Sequence, residues 1–498
     1  MEASAISLLP PIITIVLALA IKEVYFSLII GIFSGAMLFT GGDFLQSIIK
    51  FFEIMAGKVG GNVNILAFLV ILGILVAAIT RSGATRAYGE LARRVISGKK
   101  SAMGLTAFLG ILIFIDDYFN CLTVGTVMRP VTDKFKIARA KIAYIIDSTA
   151  APICIIAPVS SWAAAVGSSL PEGANIDGFA LFLQTIPFNL YAILTMAFMI
   201  FIIVSGRDYA TMGKAVQEFK IPAEYKDTAQ IEESGGGNGK IIDLVLPLLV
   251  LIIACVYGML YTGGINEGKT IAESFADCDA SASLALGSFI ALIFIFLLYI
   301  PRGVIKFAEF CECFAQGFKA MVPAIFILCL AWTLSGICGT DYLNLGGYVG
   351  TIVHEHSQVA VFLPVIFFLI AIGLAFATGT SWGTFGILIP IAMAVINLTP
   401  ETYQMLVLCI AAILSGAVGG DHASPISDTT ILASAGAQCS HLEHVETQVP
   451  YVLTVSACCI VGFLVDGFTQ NGWLGLAVSF ACLVLIMFII KMKVPATE

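Results

Sequence analysis

Charge is what this sequence has least of. Only 12% of its 498 residues are Asp, Glu, Lys or Arg, against about 25% in an ordinary soluble domain. A water-exposed surface cannot be built from so few charges, and a chain-length soluble fold is excluded. Paired thiols are missing too. The 13 cysteines are scattered through apolar stretches, apart from Cys458-Cys459, with no CxxC. Cys311 and Cys313 lie two apart, and no Cys/His cluster frames a zinc site. They read as small lipophilic residues, with no disulfide framework. There is no GxSxG, HExxH or P-loop, which removes the common hydrolase, metalloprotease and nucleotidase readings, and a non-enzyme is expected. Short segments of alternating polarity are absent as well, so a β-barrel is not expected. Met1 to Ser7 has no basic residue, so the first apolar run is expected to belong to the fold and not to a secretory leader.

Apolar residues fill the space left: 59% of the chain, with a mean hydropathy of +0.99. Runs near the ~20 residues needed to cross a bilayer recur throughout. Spans are expected at 6–21, 24–40, 62–80, 142–167, 179–204, 242–260, 283–300, 320–337, 404–437, 450–468 and 474–490. Two further segments, 103–130 and 359–397, each read as a pair of helical arms around a polar break. The fold class is an all-α polytopic membrane protein with about 11 crossings plus two re-entrant hairpins.

Basic residues concentrate in Arg81–Lys100, Arg129–Lys141, Arg207–Lys240, Arg302–Lys319 and Lys491–Lys493. Loops around Glu172–Asp177, Glu267–Asp279 and Asp341–Glu355 are acid-rich. The positive-inside rule puts the basic set in the cytoplasm, the N-terminus outside and the C-terminus inside a plasma (inner) membrane. The net charge of −8 sits largely in loops and carries little information; nothing points to nucleic acid.

The two halves echo each other. Ile49-Lys50-Phe51-Phe52-Glu53 matches Ile305-Lys306-Phe307-Ala308-Glu309, and Leu8-Leu9-Pro10 loosely matches Leu244-Val245-Leu246-Pro247. Gly125-Thr126-Val127-Met128-Arg129-Pro130 lines up with Phe385-Gly386-Ile387-Leu388-Ile389-Pro390, and Pro158-Val159-Ser160-Ser161 with Pro425-Ile426-Ser427-Asp428. Each half has an odd number of crossings, so the second is inverted relative to the first. Inverted repeats with broken helices are the architecture of secondary transporters. The expected divisions are 1–204 (first repeat), 205–240 (cytoplasmic linker), 241–468 (second repeat) and 469–498 (terminal helix and tail).

Four polar breaks interrupt the apolar runs. They are Asp116-Asp117-Tyr118-Phe119-Asn120, then Asp147-Ser148-Thr149 through Ser160-Ser161, then Thr378-Gly379-Thr380-Ser381-Trp382-Gly383-Thr384, and finally Asp421-His422-Ala423-Ser424-Pro425-Ile426-Ser427-Asp428-Thr429-Thr430. Ionisable groups at membrane depth mark ion or substrate pathways. Carbonyls freed by Pro and Gly, hydroxyls and carboxylates are hard oxygen ligands for Na⁺, and half-helix N-termini suit an anionic ligand group. The candidate ion- or substrate-binding residues are therefore Asp116, Asp117, Asn120, Asp147, Ser148, Thr149, Thr378, Thr380, Ser381, Thr384, Asp421, His422, Ser424, Ser427, Asp428 and Thr429, with Asp421 and Asp428 as the Na⁺ ligands. Two carboxylates in a poorly hydrated site cannot both stay ionised without a cation, so Asp116/Asp117 and Asp421/Asp428 can hold protons or Na⁺ in competition. His422 can set pH sensitivity.

Plainer readings stand beside these. Asp116-Asp117 can be a loop between two spans, or one of the pair an N-cap. Hydroxyls such as those of Thr123, Thr126 and the Thr378–Thr384 cluster can bond back to the preceding turn. Asp147 can pair with Lys141, His422 can be structural, and Trp162 and Trp382 can be packing residues. His441 and His444 form an HxxH with Glu443 and Glu446, weak as a metal signal and expected to be a solvated loop. The first-half copy of the fourth break lacks acids matching Asp421 and Asp428, so the site is expected to be asymmetric, with Asp116 and Asp117 as the first-half partners.

The string Gly420 to Thr430 closely resembles the signature of the NhaC family of Na⁺/H⁺ antiporters, and the Thr378–Thr384 and Asp116–Asn120 segments are similar to that family. The resemblance covers about residue 8 to residue 468. It implies a Na⁺/H⁺ antiporter with transported Na⁺ and H⁺ and no cofactor. It also implies two inverted repeats with re-entrant hairpins and interrupted helices, elevator-like motion and a homodimer. The alternative it implies is Na⁺- or H⁺-coupled transport of a small organic acid or amino acid, such as malate/lactate exchange.

Overall fold

The computed structural model describes the chain apart from residues 1–4, 22, 85–86, 88–95, 171–175, 220–237, 272–273, 275–277, 340, 346–347, 349–356, 397–398 and 497–498. Parts of the basic 81–100 segment, of the three acid-rich loops and of the 205–240 linker with Gly235-Gly236-Gly237 lie outside the described residues.

The described residues are almost entirely helical. The first half runs α1 (Leu9–Ile21), α2 (Val24–Phe39), α3 (Phe44–Gly61), α4 (Val63–Ser82), α5 (Lys99–Leu112), α6 (Asp117–Lys134), α7 (Arg139–Ser148), α8 (Ala151–Cys154), α9 (Ser161–Ser168), α10 (Gly178–Thr185), α11 (Leu190–Ser205) and α12 (Ala210–Glu218). The second half runs α13 (Ile242–Thr262), α14 (Ala280–Tyr299), α15 (Phe307–Cys338), α16 (Leu363–Thr378), α17 (Ser381–Val395), α18 (Tyr403–Ala423), α19 (Asp428–Ala437), α20 (His441–Thr469) and α21 (Gly472–Lys493). Eight helices among the described residues are long and apolar enough to cross a bilayer, or up to ten if each bent pair is one span. Their outward faces carry large apolar side chains, such as Leu249 and Ile253 of α13 and Leu485, Phe488 and Met492 of α21, as lipid contact requires. The protein is a multi-pass membrane protein.

Fewer helices span outright than expected because the polar breaks fragment them. Residues 142–167 are not one span but α7, α8 and α9. Residues 404–437 divide into α18 and α19. Ser160 caps α9 and Ser427 caps α19 by accepting a backbone amide, whereas the short α8 starts without a side-chain cap. One bend is not visible in the apolar pattern: α2 turns by 117° into α3. Asp43 caps α3 by accepting from the Gln46 amide at 3.0 Å. This helix buries Phe51 and Ile54 and exposes Leu45, Ile49 and Phe52, the amphipathic pattern of a helix lying along an interface.

The order of elements repeats between the halves. α15, which contains Pro323, precedes the pair α16–α17 and the divided α18–α19, as α3 and α4 precede the pair α5–α6 and the divided α7–α9. Between α4 and α15 the backbones touch at Gly73 and Gly317, where a Cβ on either glycine would collide with the other helix. Gly125 of α6 and Gly436 of α19 make the same kind of approach. Small residues at crossings are how membrane helices gain van der Waals contact when lipid offers no hydrophobic drive.

A fully buried ion pair lies where α7, α11 and α20 meet. Lys141 donates to Asp208 at 2.8 Å, and the Tyr451 hydroxyl donates to the other Asp208 oxygen at 2.9 Å. The plainer alternative, Lys141 paired with Asp147, gives way to the Lys141–Asp208 pair. Lys141 lies a turn and a half earlier on α7, and Asp208 follows the end of α11 directly onto it.

Two outcomes test this packing. Gly317→Val should lower unfolding stability in detergent by about 1–3 kcal/mol through overpacking, whereas Gly57→Ala on α3, with open space around it, should be neutral or slightly stabilising. Asp208→Asn should cost about 3–5 kcal/mol by stranding a buried ammonium, and the double variant K141M/D208N should recover part of that loss in a thermal double-mutant cycle.

Candidate functional site

All four breaks end in a capped helix start, and these starts come together. Asp116 caps α6, its Oδ1 accepting from the Phe119 amide at 2.9 Å. Ser160 caps α9, accepting from Ala163 at 3.1 Å. Thr380 caps α17, accepting from Gly383 at 3.3 Å, and Ser427 caps α19, accepting from Thr430 at 3.3 Å. The Ser161 amide donates to the Ile115 carbonyl at 2.9 Å, joining breaks one and two. Gly379, at φ +68, packs so closely on the Ile426 carbonyl that no Cβ fits, joining breaks three and four. Trp162 joins the halves: its ring lies 6.0 Å from that of Trp382, and its Nε1 donates to Asp117 Oδ2 at 3.1 Å. Trp162 is thus both a packing residue and a hydrogen-bond donor to a site carboxylate.

The expected residues divide into three groups. In the first, Asp421 is buried, with Oδ2 accepting from the Thr429 hydroxyl at 3.0 Å and Oδ1 left without a hydrogen-bond partner. Ser427 lies 3.1 Å from the Thr429 hydroxyl, and the Ser424 hydroxyl accepts from the Ile426 amide at 3.3 Å. Asp428, in the first turn of α19, is exposed to a cavity of about 650 Å³. Asp116, Tyr118, Thr123, Thr80 and Met321 also line this cavity. It lies between α6 and α19 on one side and α4 and α15 on the other, and no Lys, Arg or His among the described residues lines it. Asp421 and Asp428 therefore occupy different surroundings: one enclosed by hydroxyls, the other facing open space.

In the second group, polar side chains hold the breaks in shape. The Asn120 amide donates to three carbonyls, Gly110 (2.7 Å), Ile113 (3.0 Å) and Thr149 (2.9 Å), tying hairpin one to the end of α7. Ser381 donates to the Ala417 carbonyl at 3.1 Å, tying hairpin two to α18. Thr149, Thr378 and Thr384 bond back to carbonyls of the preceding turn, keeping only lone pairs for any other contact.

The third group, around Asp147, was only half visible in the sequence. Asp147 Oδ2 accepts from Gln448 Nε2 at 2.7 Å and faces His444 Nε2 at 3.3 Å; Oδ1 is 3.8 Å from His422 Nε2. The Tyr191 hydroxyl meets His422 Nδ1 at 3.2 Å. Ser148 is buried beside them with no hydrogen-bond partner. His444 is fully buried in the first turns of α20, so the expectation of a solvated HxxH loop is overturned for it. Its neighbour His441 is partly exposed and contacts the Pro425 carbonyl at 2.6 Å. His444, Gln448 and Tyr451 recur at i, i+4 and i+7 on one face of α20, and that polar stripe was the available signal.

Residues 154–468 match the Na⁺/H⁺ antiporter family. An uncharacterized protein of Haemophilus influenzae is 39% identical over 513 residues, covering 99% of this chain and 96% of that one. The malate-2H⁺/Na⁺-lactate antiporter of Bacillus subtilis is 31% identical over 201 residues, 39% of this chain and 40% of that protein. The YdaH transporter of Alcanivorax borkumensis, whose crystal structure shows an unusual topology, aligns with a TM-score of 0.55 at 14% identity over 88% of this chain and 90% of that one, a likeness of fold alone. A chain whose broken helices meet around buried carboxylates, and of which well over half matches one family, belongs to that family: this protein is a member of the Na⁺/H⁺ antiporter family.

Proposed function

We propose that this secondary antiporter exchanges Na⁺ for H⁺ across the plasma (inner) membrane, with the two cations competing for the carboxylates around the cavity. The observation that carries the reading is the step in exposure from Asp428 to Asp421. A cation entering the cavity meets Asp428 and Asp116 first. Behind them lies Asp421, with an unpartnered oxygen and the Thr429 and Ser427 hydroxyls as further hard ligands. A proton on either carboxylate removes the charge that holds Na⁺. With the basic loops in the cytoplasm, the cavity extends from the hairpin-one tip along Thr123 and Val127 toward the cytoplasmic side, and the N-terminus is outside. The expected elevator motion and homodimer belong to the same proposal.

A second reading is Na⁺- or H⁺-coupled exchange of a small amino or organic acid, and the cavity itself favours weighing it. About 650 Å³ is far more than Na⁺ fills, and the lining is apolar apart from a few hydroxyls and two acids. That combination suits a solute bearing an ammonium group better than a free dicarboxylate.

In proteoliposomes, Asp428→Asn should reduce Na⁺-driven proton movement by at least about tenfold, the factor that 1.4 kcal/mol of lost binding represents, while Thr80→Val should retain it. Wild-type flux in D428N sinks the Asp428 assignment. Thermal unfolding in Na⁺ with added amino acids or dicarboxylates separates the two readings: a true ligand at a hundred times its Kd stabilises by about 2.7 kcal/mol, and a response to Na⁺ and pH alone removes the organic solute.

A further inference from the structure

The cluster around Asp147 lies apart from the cavity and is built differently. None of its side chains lines the cavity. Four elements contribute: Asp147 from α7, Tyr191 from α11, His422 from α18, and His444 with Gln448 from α20. All are buried. The basic residue closest in sequence, Lys141, is committed to Asp208. With both imidazoles neutral, the cluster therefore carries a net charge of −1 away from water, an arrangement that is costly unless a cation or proton joins it.

The hydrogen bonds show where a proton fits. Asp147 Oδ2 already accepts from Gln448 and faces His444 Nε2. Asp147 Oδ1 and His444 Nδ1 have no hydrogen-bond partner, and neither has His422 Nε2, which points at Oδ1 from 3.8 Å. The Tyr191 hydroxyl lies 3.2 Å from His422 Nδ1, so His422 is held by a hydrogen bond on the side away from Asp147. A proton added at His444 Nδ1 brings the net charge to zero with every existing hydrogen bond kept. The set is too crowded with nitrogen donors to make an oxygen cage for Na⁺, so its chemistry selects H⁺.

The cluster is also tied to the cation site. His422 follows Asp421 in the chain, and Gln448 Nε2 donates to the His422 carbonyl at 2.8 Å, at the C-terminal turn of α18. Other ionisable groups around the cluster are Cys121 on α6, Tyr144 on α7, Asp421 on α18 and Cys459 on α20. Beyond Tyr144, whose ring packs at 4.9 Å on Tyr451, lies the Lys141–Asp208 pair.

We propose that Asp147 and His444 form a second proton-carrying site, separate from the carboxylates that Na⁺ and H⁺ share, so that each turnover moves more protons than competition at Asp421 and Asp428 alone would move. The inference rests on the Na⁺/H⁺ reading for its transport consequence, but not for the existence of the site.

The test counts protons. The H⁺:Na⁺ ratio is measured from reversal potentials in proteoliposomes of the wild type and of His444→Gln, which can still donate to Asp147 but cannot gain a proton. The expected result is a loss of about one proton per turnover together with a flattened pH profile between about pH 6 and 8, with Na⁺-dependent flux retained. An unchanged ratio and an unchanged profile overturn the proposal. Histidine-selective ¹⁵N NMR on the wild-type protein supplies a readout that needs no variant to fold. His444 changing protonation between pH 5 and 8 supports the site, and a His444 imidazole neutral throughout overturns it. A wild type with no Na⁺-driven proton movement defeats the Na⁺/H⁺ reading, and the NMR titration then decides the site by itself.

Discussion

The structure depends on one constraint: a helix broken inside a bilayer must have its exposed amides and carbonyls satisfied by the protein. Asp116, Ser160, Thr380 and Ser427 each do this for one break. Because each break is capped locally, the breaks can be placed side by side. Ser161 to Ile115, Gly379 on Ile426, and Trp162 against Trp382 are the contacts that do so. Polar backbone at membrane depth is tolerable only where it is buried in protein or lines a cavity. The cavity beside Asp428 is therefore a consequence of the same arrangement that solves the backbone problem.

Asymmetry follows from which side chains fill equivalent places. The two interrupted helices α7–α9 and α18–α19 occupy corresponding positions in the order of elements, yet they carry different chemistry. At the second-half break, Asp421 and Asp428 flank the interruption, and one of them faces the cavity. In the first half the acid comes earlier, at Asp147, and turns away from the cavity toward α20. Asp116, the first-half acid that lines the cavity, comes from the hairpin tip instead.

Much of this was legible because membrane sequences state their exceptions loudly. Four polar breaks in apolar runs, and the repeat of Pro158–Ser161 at Pro425–Asp428, were enough to place the interruptions and the helix starts. What was not legible shares one cause: the pairings depend on which helices cross. Asp147 could not be separated from Lys141 by sequence, since the partner that takes Lys141 lies beyond α11, at Asp208. His444 looked like part of a polar loop because its neighbours His441, Glu443 and Glu446 are polar. Only the face shared with Gln448 and Tyr451 distinguishes it. The 117° turn into α3 was hidden because an interfacial helix and a crossing helix draw on the same apolar residues.

The end of α18 brings these strands together. Consecutive residues on a helix point about 100° apart, so Asp421 and His422 look toward different neighbours although they share a backbone. Asp421 turns to Thr429 and the cavity side of α19; His422 turns to Tyr191, Asp147 and, through its carbonyl, Gln448. A change of charge on either side acts on the same helical turn. Coupling between two sites requires an element whose position both of them bias. The last turn of α18, ending at Ser424 and held from both sides by side-chain hydrogen bonds, is an element that both neighbourhoods touch, so an acid and a histidine side by side on it face separate surroundings.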